Sequence, residues 1–457
     1  MKPATLTSGS IPRTLFAFAL PILAGNVMQS INGSINSIWI GKFLGAAALT
    51  GANNANIVMF LLLGAVFGIT LASTILIARS LGAGDVADAR RVTGTSASFF
   101  CVLSFVFAIG GFFASPAILL WMDTPADALA FGADYLRVMF VALPASYGFF
   151  FISAALRGAG DSKTPLRFLV LSVVLDILLN PLFIFGWGPL PGFGIAGSAL
   201  ATLVAQFVAL GAILRHVYLQ RHPLVIHRAD AALLRVDWSI VRVIITKGVP
   251  MGLQMIVLAL SAALFLRVVN RFGSDTAAAF AADTQLWNYV QMPALALGAA
   301  VSSMAAQNIG AGLWDRVAAT ARVGILFNFL LTGVPVLLLY LSEGFIIGIF
   351  LPPDSPALEI AIHANHIILW SYPLFGIAMV LSGVVRAAGA VVPPLLILVV
   401  ALLIVRAPLA EYSLTHWGVD GVWWSFSLSA IIAAALSAAY YLAGSWRSAT
   451  LRPTTTG

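Results

Sequence analysis

The chain has 457 residues, of which 60% are hydrophobic and only 9% charged, against about 25% charged in an ordinary water-soluble domain. A water-soluble fold of this size is excluded, because so little charge cannot clothe its surface; mean hydropathy is +0.99, the balance of a chain whose solvent is mostly lipid. The net charge of +7 then reports either topology or an acidic partner.

Residues 1–13 are polar with two basic side chains. The apolar run that follows, about 14 to 40, is too long and too interrupted by Asn and Gln for a cleavable signal, so it reads as the first span. Further apolar runs fall at about 52 to 80, 93 to 120, 131 to 158, 164 to 186 and 194 to 220. A second set lies at about 239 to 271, 277 to 309, 317 to 342, 358 to 387, 391 to 412 and 419 to 445. Twelve helices of membrane-spanning length predict an all-α membrane protein. No connection exceeds about 20 residues, which leaves no room for a soluble catalytic domain, and no cluster of His and acid has catalytic spacing. An enzyme is therefore not expected. The lone cysteine, Cys101, cannot close an intrachain disulfide.

Short cytoplasmic loops retain Lys and Arg. With the N-terminus inside, most of the 24 basic residues fall on the inner side, among them Arg79, Arg90, Arg91, Arg157, Lys163, Arg215, Arg316 and Arg386. Acids such as Asp123, Asp127, Asp134, Asp354 and Asp420 fall outside. Both termini are thus expected in the cytoplasm and the protein in the cytoplasmic (inner) membrane. The basic segment Arg221 to Lys247 reads as an inner-face connection, not a nucleic-acid site.

Pro21/Pro250, Lys42/Arg271, Phe43/Phe272, Pro144/Pro373, Arg157/Arg386, Gly160/Gly389 and Pro165/Pro394 all stand 229 positions apart. The chain is a tandem duplication with an even number of spans per half, so the halves are related by an axis along the membrane normal. The expected organisation is a six-helix N-terminal lobe over 1–220, a cytoplasmic linker over 221–238 and a six-helix C-terminal lobe over 239–457. Two such pseudo-two-fold-related lobes around a central cavity are the geometry of a transporter.

The segments Leu20-Pro21-Ile22, Gly41-Lys42-Phe43-Leu44-Gly45, Leu156-Arg157-Gly158-Ala159-Gly160-Asp161, Asn180-Pro181-Leu182-Phe183-Ile184-Phe185-Gly186 and Gly194-Ile195-Ala196-Gly197, in this order, resemble the bacterial type of the multidrug and toxic compound extrusion (MATE) family. The resemblance covers nearly the whole chain. It implies a cation-coupled antiporter that expels bulky organic, often cationic, compounds through a V-shaped pair of lobes, with a cation site in the N-terminal lobe. Where the family often carries an aspartate just before the Gly-basic-Phe-Leu-Gly turn, this chain has Asn36. Where the family reads Asn, three residues, Asp-Pro in the fifth span, this chain reads Asp176, three residues, Asn180-Pro181.

Asp176 stands out on physical grounds alone. It lies about 11 residues into the fifth span, near the bilayer midplane at a rise of about 1.5 Å per residue. An acid there is costly and functional by default, and no basic residue lies three or four positions away on its helix. Asn180 follows one turn on, while Gln29, Asn32 and Asn36 form a polar stripe along the first span. The resemblance adds Ser153 and Ser198 as polar positions lining the same cavity. Asp176, Asn180, Asn36 and Ser198 are the expected cation-coupling set, either as oxygen ligands for sodium, at Asp176 and Asn180, or as a hydrogen-bond chain for a proton. Gln29, Asn32, Ser153 and Met28 are the expected substrate-binding set, with Trp39, Phe60, Trp287, Tyr289 and Met292 as a candidate apolar wall.

In the second half Asp283 is a lesser cavity candidate. Arg406 reads as structural, paired with Glu411 or Asp283 or reaching outward. Glu359, His363 and His366 share a helix face whose spacing suits a metal, but it reads as a solvated interfacial face, and no metal is expected. The prolines of the repeat read as helix kinks. Together these features predict a monomeric cation-coupled exporter of small organic compounds in contact with membrane lipids, without cofactors beyond the coupling proton or sodium. The alternative is a lipid-linked saccharide flippase of related fold.

Overall fold

The computed structural model describes residues 6–352 and 354–449. The terminal residues 1–5 and 450–457, on which the expected orientation of both ends rests, lie outside the described residues. Among the described residues twelve helical segments are long and apolar enough to cross a membrane. The first six are α1 (Ile11–Leu44), α2 (Ala46–Gly82), α3 (Val86–Trp121), α4 (Ala126–Gly158), α5 (Lys163–Phe185) and α6 (Ile195–Leu219). The next three are α7 (Trp238–Val269), α8 (Ser274–Gly310) and α9 (Trp314–Ile347). The tenth span joins α10 (Pro356–Ile368) to α11 (Tyr372–Ala388) through the 3₁₀ turn Leu369–Ser371. The eleventh runs from α12 (Val392–Leu398) through the π-helical stretch Val399–Arg406 into α13 (Ala407–His416), and α14 (Gly418–Ala443) is the twelfth.

The helices outrun the apolar stretches because polar residues near the ends extend them. α1 and α2 are separated by Gly45 alone, whose φ of 89° is left-handed, and Gly273, with φ 99°, makes the matching break before α8. Only glycine adopts such angles without strain. Several prolines read as kinks sit elsewhere. Pro21, Pro144 and Pro250 lie inside helices, but Pro373 and Pro394 occupy first turns, where the missing N–H removes no helical bond.

The chain forms two compact units. Among the described residues one comprises Ala24–Gly248, the other Leu6–Leu23 with the chain from Val249 onward. These bounds differ from the expected division at 220 and 239. The start of α1 packs with the second half, where the Leu6 N–H donates to Gln307 Oε1 at 3.0 Å and Phe16 meets Phe327 edge-on at 5.8 Å. The start of α7 packs with the first half, where a Cβ on Gly248 would stand 2.7 Å from the Ile69 Cα. The chain passes between units beside Pro21 and Pro250, the first pair of the repeat.

Within the first unit small residues let helices approach closely, as van der Waals packing in lipid favours. A Cβ on Gly51 would lie 2.6 Å from the Gly132 nitrogen of α4, and one on Gly111 would enter the Phe140 ring. In the second unit a buried aromatic group, Phe265, Trp287, Tyr372 and Trp423 with Phe280 and Phe426, fills the space among α7, α8, α11 and α14.

The connection after α6 is docked, not free. Arg90 Nε and Nη2 of α3 donate to the Val225 carbonyl at 3.1 and 2.8 Å. Arg90 also pairs with Asp230, and Arg91 with Asp237. Hydrogen bonds from Ser239, together with Arg91, hold the Asp237 carboxyl below its ordinary value. Gly94 makes the fit possible, because a Cβ there would lie 2.3 Å from the Leu233 carbonyl oxygen. Gly94→Val is therefore expected to lift this segment, and limited proteolysis checks it: cleavage between residues 221 and 237 accelerates several-fold in the variant while the helices stay protected.

Candidate functional site

The site lies wholly within the first unit and is built from α1, α5 and α6. Two features of the sequence bring these helices together. The two-residue strands Gly186–Trp187 and Leu190–Pro191 pair antiparallel and turn the chain back sharply after α5. Gly197 then lets α6 start against the end of α5, for a Cβ there would stand 2.2 Å from the Phe183 carbonyl oxygen. Thr202, five residues on, faces α5 as a consequence. On the other side Gly25 of α1 fits against Leu169 of α5.

Asp176 is at the centre, 2% exposed. Its Oδ2 accepts from Asn32 Nδ2 at 2.7 Å and from Asn36 Nδ2 at 3.0 Å. Its Oδ1 accepts from Thr202 Oγ1 at 3.0 Å and, longer, from Asn180 Nδ2 at 3.4 Å. Asn180, fully buried, also donates to Asn36 Oδ1 at 2.9 Å and to the Asp176 carbonyl at 3.2 Å. Pro181 lacks the N–H that would have reached the Ile177 carbonyl, so the helix is already loosened at this turn. Every donor to the carboxylate is a neutral amide or hydroxyl. Among the described residues no Lys, Arg or His lies within ion-pair distance of it.

The same cluster contains oxygens without donors. Asn32 Oδ1 and Asn180 Oδ1 are enclosed and unpartnered, as are, outside the cluster, the Ser153 and Ser198 hydroxyls. A carboxylate beside two donor-free amide oxygens attracts a proton or a small cation, because a cation is what completes the coordination of such groups.

The structure thus brings Asp176, Asn180, Asn36 and Asn32 into one network. Ser198 is buried on α6 one turn before Thr202 but does not touch the carboxylate; its carbonyl accepts from Thr202 at 3.5 Å. Ser153 is buried on α4, while Gln29 is exposed and Met28 half-buried on α1. Thr202 is the member that sequence reading missed. Its signal was faint: a hydroxyl four residues after Ser198 in an apolar helix, one of many such pairs. Of the proposed apolar wall, Trp39 stacks on Phe43 with centroids 5.2 Å apart and meets Phe185 edge-on. Phe60 and Tyr289 are exposed. Trp287 is instead buried in the aromatic core of the second unit.

That second unit holds its own enclosed acid. Asp283 of α8 is fully buried; its Oδ1 accepts from Asn365 Nδ2 at 2.8 Å, and its Oδ2 has no partner. Trp287 Nε1 donates to Asn365 Oδ1 at 2.7 Å and so fixes which way that amide faces. Arg406 pairs with neither expected acid. Glu411 is taken by Arg271 at 2.6 Å, while Arg406 Nε donates to Ser429 Oγ at 2.8 Å and the guanidinium lies 3.9 Å above the Phe426 ring. A ring face and one hydroxyl replace the salt bridge, because the π-helical turn points Arg406 into the aromatic core. On α10 the exposed His363 meets Asp420 at 2.9 Å, and Glu359 and His366 are exposed.

The family model described as MatE matches residues 21–182 and 250–411. The chain belongs to the MATE transporter family. The two matched stretches begin 229 positions apart, the offset of the internal repeat, so each half of this MATE protein carries one copy of the family unit. Among curated relatives it is 34% identical to the probable multidrug resistance protein YoeA of Bacillus subtilis, covering 94% of both chains. It is 31% identical to the probable multidrug resistance protein YpnP of the same organism, covering 98% of both. A crystal structure of a MATE protein in the straight conformation matches with a TM-score of 0.89 at 21% identity, over 97% of this chain and 98% of that one. Family members are transporters, not enzymes, and the twelve-helix fold of this MATE chain is theirs.

Thr202→Val removes one of the carboxylate's donors while keeping side-chain shape. The expected cost is about 1 kcal/mol of stability, read as a lower unfolding temperature in detergent. Gly197→Val is expected to cost more and to remove the Thr202 contact by displacing α6. A Thr202→Val protein as stable as wild type would mean that this hydrogen bond contributes nothing.

Proposed function

We propose that the chain is a cation-coupled antiporter of the cytoplasmic membrane that exports small organic, cationic or amphipathic compounds by alternating access, with Asp176 as the coupling carboxylate. The observation that carries this reading is a carboxylate buried within a membrane span and held only by neutral donors. The names of the relatives, probable multidrug resistance proteins, support the class of cargo.

The chemistry follows from the hydrogen-bond arrangement. The charged carboxylate uses the amide N–H groups of Asn32 and Asn36 and the hydroxyl of Thr202. A proton on Oδ2 converts an acceptor into a donor, so Asn32 or Asn36 has to turn its oxygen inward, whereas a proton on Oδ1 is accepted by the Thr202 hydroxyl once its own hydrogen rotates away. A sodium ion would instead draw the carboxylate together with the Asn32 and Asn180 oxygens. Either event rearranges the contact between α1 and α5 and removes a negative charge, which disfavours a cationic cargo nearby. Ser198 supports the coupling group from α6, and Gln29, Met28 and Ser153 are proposed to meet the cargo. The proposal sets both termini in the cytoplasm and has the protein act as a monomer.

Dye efflux from cells lacking their own pumps, with pH or sodium gradients imposed separately, tests this. Wild type is expected to respond to one of the two gradients, which names the ion. Asp176→Asn is expected to drop to the background of cells without the protein, at normal membrane abundance. Efflux by that variant with unchanged gradient dependence would show that another group couples the ion.

A further inference from the structure

We propose that a cavity between α3 and the segment after α6 binds the phosphate of an anionic lipid head group. The segment that Gly94 admits is fastened along α3, where the Ser98 hydroxyl donates to the Leu234 carbonyl at 2.7 Å and Arg91 Nη2 donates to Asp237 Oδ2. Between the two lies a space of about 220 Å³ whose walls include Arg91 and Thr95 of α3 and Leu233, Arg235, Val236 and Asp237 of the segment. A water molecule takes about 30 Å³, so the space holds a group larger than one water. Arg91 and Thr95 stand one helical turn apart, on one side of α3.

Two guanidinium groups and one carboxylate line this space, which leaves an excess of one positive charge. The carboxylate is already satisfied: Asp237 Oδ1 accepts from the Ser239 N–H at 2.9 Å and from the Ser239 hydroxyl, and Oδ2 accepts from Arg91. Arg91 spends only Nη2 on that bond and keeps other N–H groups. Arg235 belongs to none of the ion pairs among the described residues. Thr95 is fully buried and its hydroxyl has no partner, whereas the Thr93 hydroxyl, two residues earlier, donates to the Ala89 carbonyl one turn back. An uncommitted hydroxyl and two cationic groups around one space suit an anion with several acceptor oxygens. A phosphate diester is such an anion, and its paired oxygens match the fork of a guanidinium.

The surroundings favour a lipid as the source of that phosphate. Leu234, Val236 and Trp238 are exposed on either side of Arg235, and Trp238 opens α7, one of the spans of membrane length. A tryptophan at the end of a span sits at head-group level, and interleaved apolar and basic side chains at that depth meet acyl chains and head groups together. A head group without a cation of its own, as in phosphatidylglycerol, balances the excess charge of the space, whereas the choline of phosphatidylcholine brings a cation back. The site lies within the first unit and shares no residue with the Asp176 network, so it does not rest on the coupling role proposed for that acid.

The test titrates the full-length protein in uncharged detergent with short-chain phosphatidylglycerol, phosphatidylcholine or inorganic phosphate and counts the bound molecules by native mass spectrometry. Wild type is expected to bind a first phosphatidylglycerol saturably, about tenfold more tightly than phosphatidylcholine or inorganic phosphate. Arg235→Gln is expected to weaken that binding about tenfold, the scale of one hydrogen bond to a charged partner, and Thr95→Val about fivefold. Gly94→Val, which lifts the segment without changing charge, is expected to lose the site. Arg242→Gln makes the same charge change at an exposed position of α7 outside the cavity and is expected to bind as wild type does. Inorganic phosphate binding as tightly as phosphatidylglycerol would overturn the lipid as source. Equal weakening by Arg235→Gln and Arg242→Gln would reduce the effect to diffuse attraction and overturn the site, as would wild-type affinity in Arg235→Gln; these comparisons stand even if Gly94→Val fails to fold.

Discussion

A carboxylate inside a membrane span, satisfied by hydrogen bonds yet without a counter-charge, is the constraint around which the first unit is arranged. Asp176 accepts from Asn32, Asn36 and Thr202, donors contributed by two helices other than its own. Neutral donors lower the cost of burying the charge without cancelling it, which is what the proposed coupling role requires. A salt bridge would instead lock the charged state. Each local device nearby serves this arrangement. Gly197 admits α6, the short hairpin after α5 sets its direction, and Pro181 loosens the helix one turn from the acid.

The two halves began as copies and have come to solve different problems. The counterpart of Asp176 is Val405, and that of Asp283 is Asn54, so the two buried acids occupy unrelated positions in the repeat. The first half surrounds its acid with amides. The second half encloses its acid with one amide, itself oriented by a tryptophan, within a packed aromatic core. It also buries two guanidinium groups, one answered by an aromatic ring and the other by a glutamine.

Much of this was legible in the sequence. Twelve apolar runs gave the spans because lipid imposes length and composition on helices more strictly than water does. Asp176 was legible because its own helix offers no basic neighbour, and Asn32 and Asn36 because their spacing places both on one helical face. Partners across helices were less accessible. Thr202 depends on the rotation of α6, which Gly197 and the hairpin fix and which no period in α6 reveals. Arg406 was read as structural, paired with an acid or reaching outward, because those are the usual answers to a charge in a span, but a π-helical turn aims it at Phe426 instead. The packing units divide the chain differently from the lobes of the repeat for a similar reason. Apolar runs show where spans are, not which helices pack together, and the starts of α1 and α7 each pack with the other half of the chain.

Difference infrared spectroscopy on the purified protein tests the central claim most directly, with Asp176→Asn as the control that assigns the carboxyl bands. The account predicts that an Asp176 carboxyl or carboxylate band changes when the coupling cation is added, and reverses when a transported cationic dye is supplied. A band that stays constant through both additions, while the protein remains competent for transport, would contradict it.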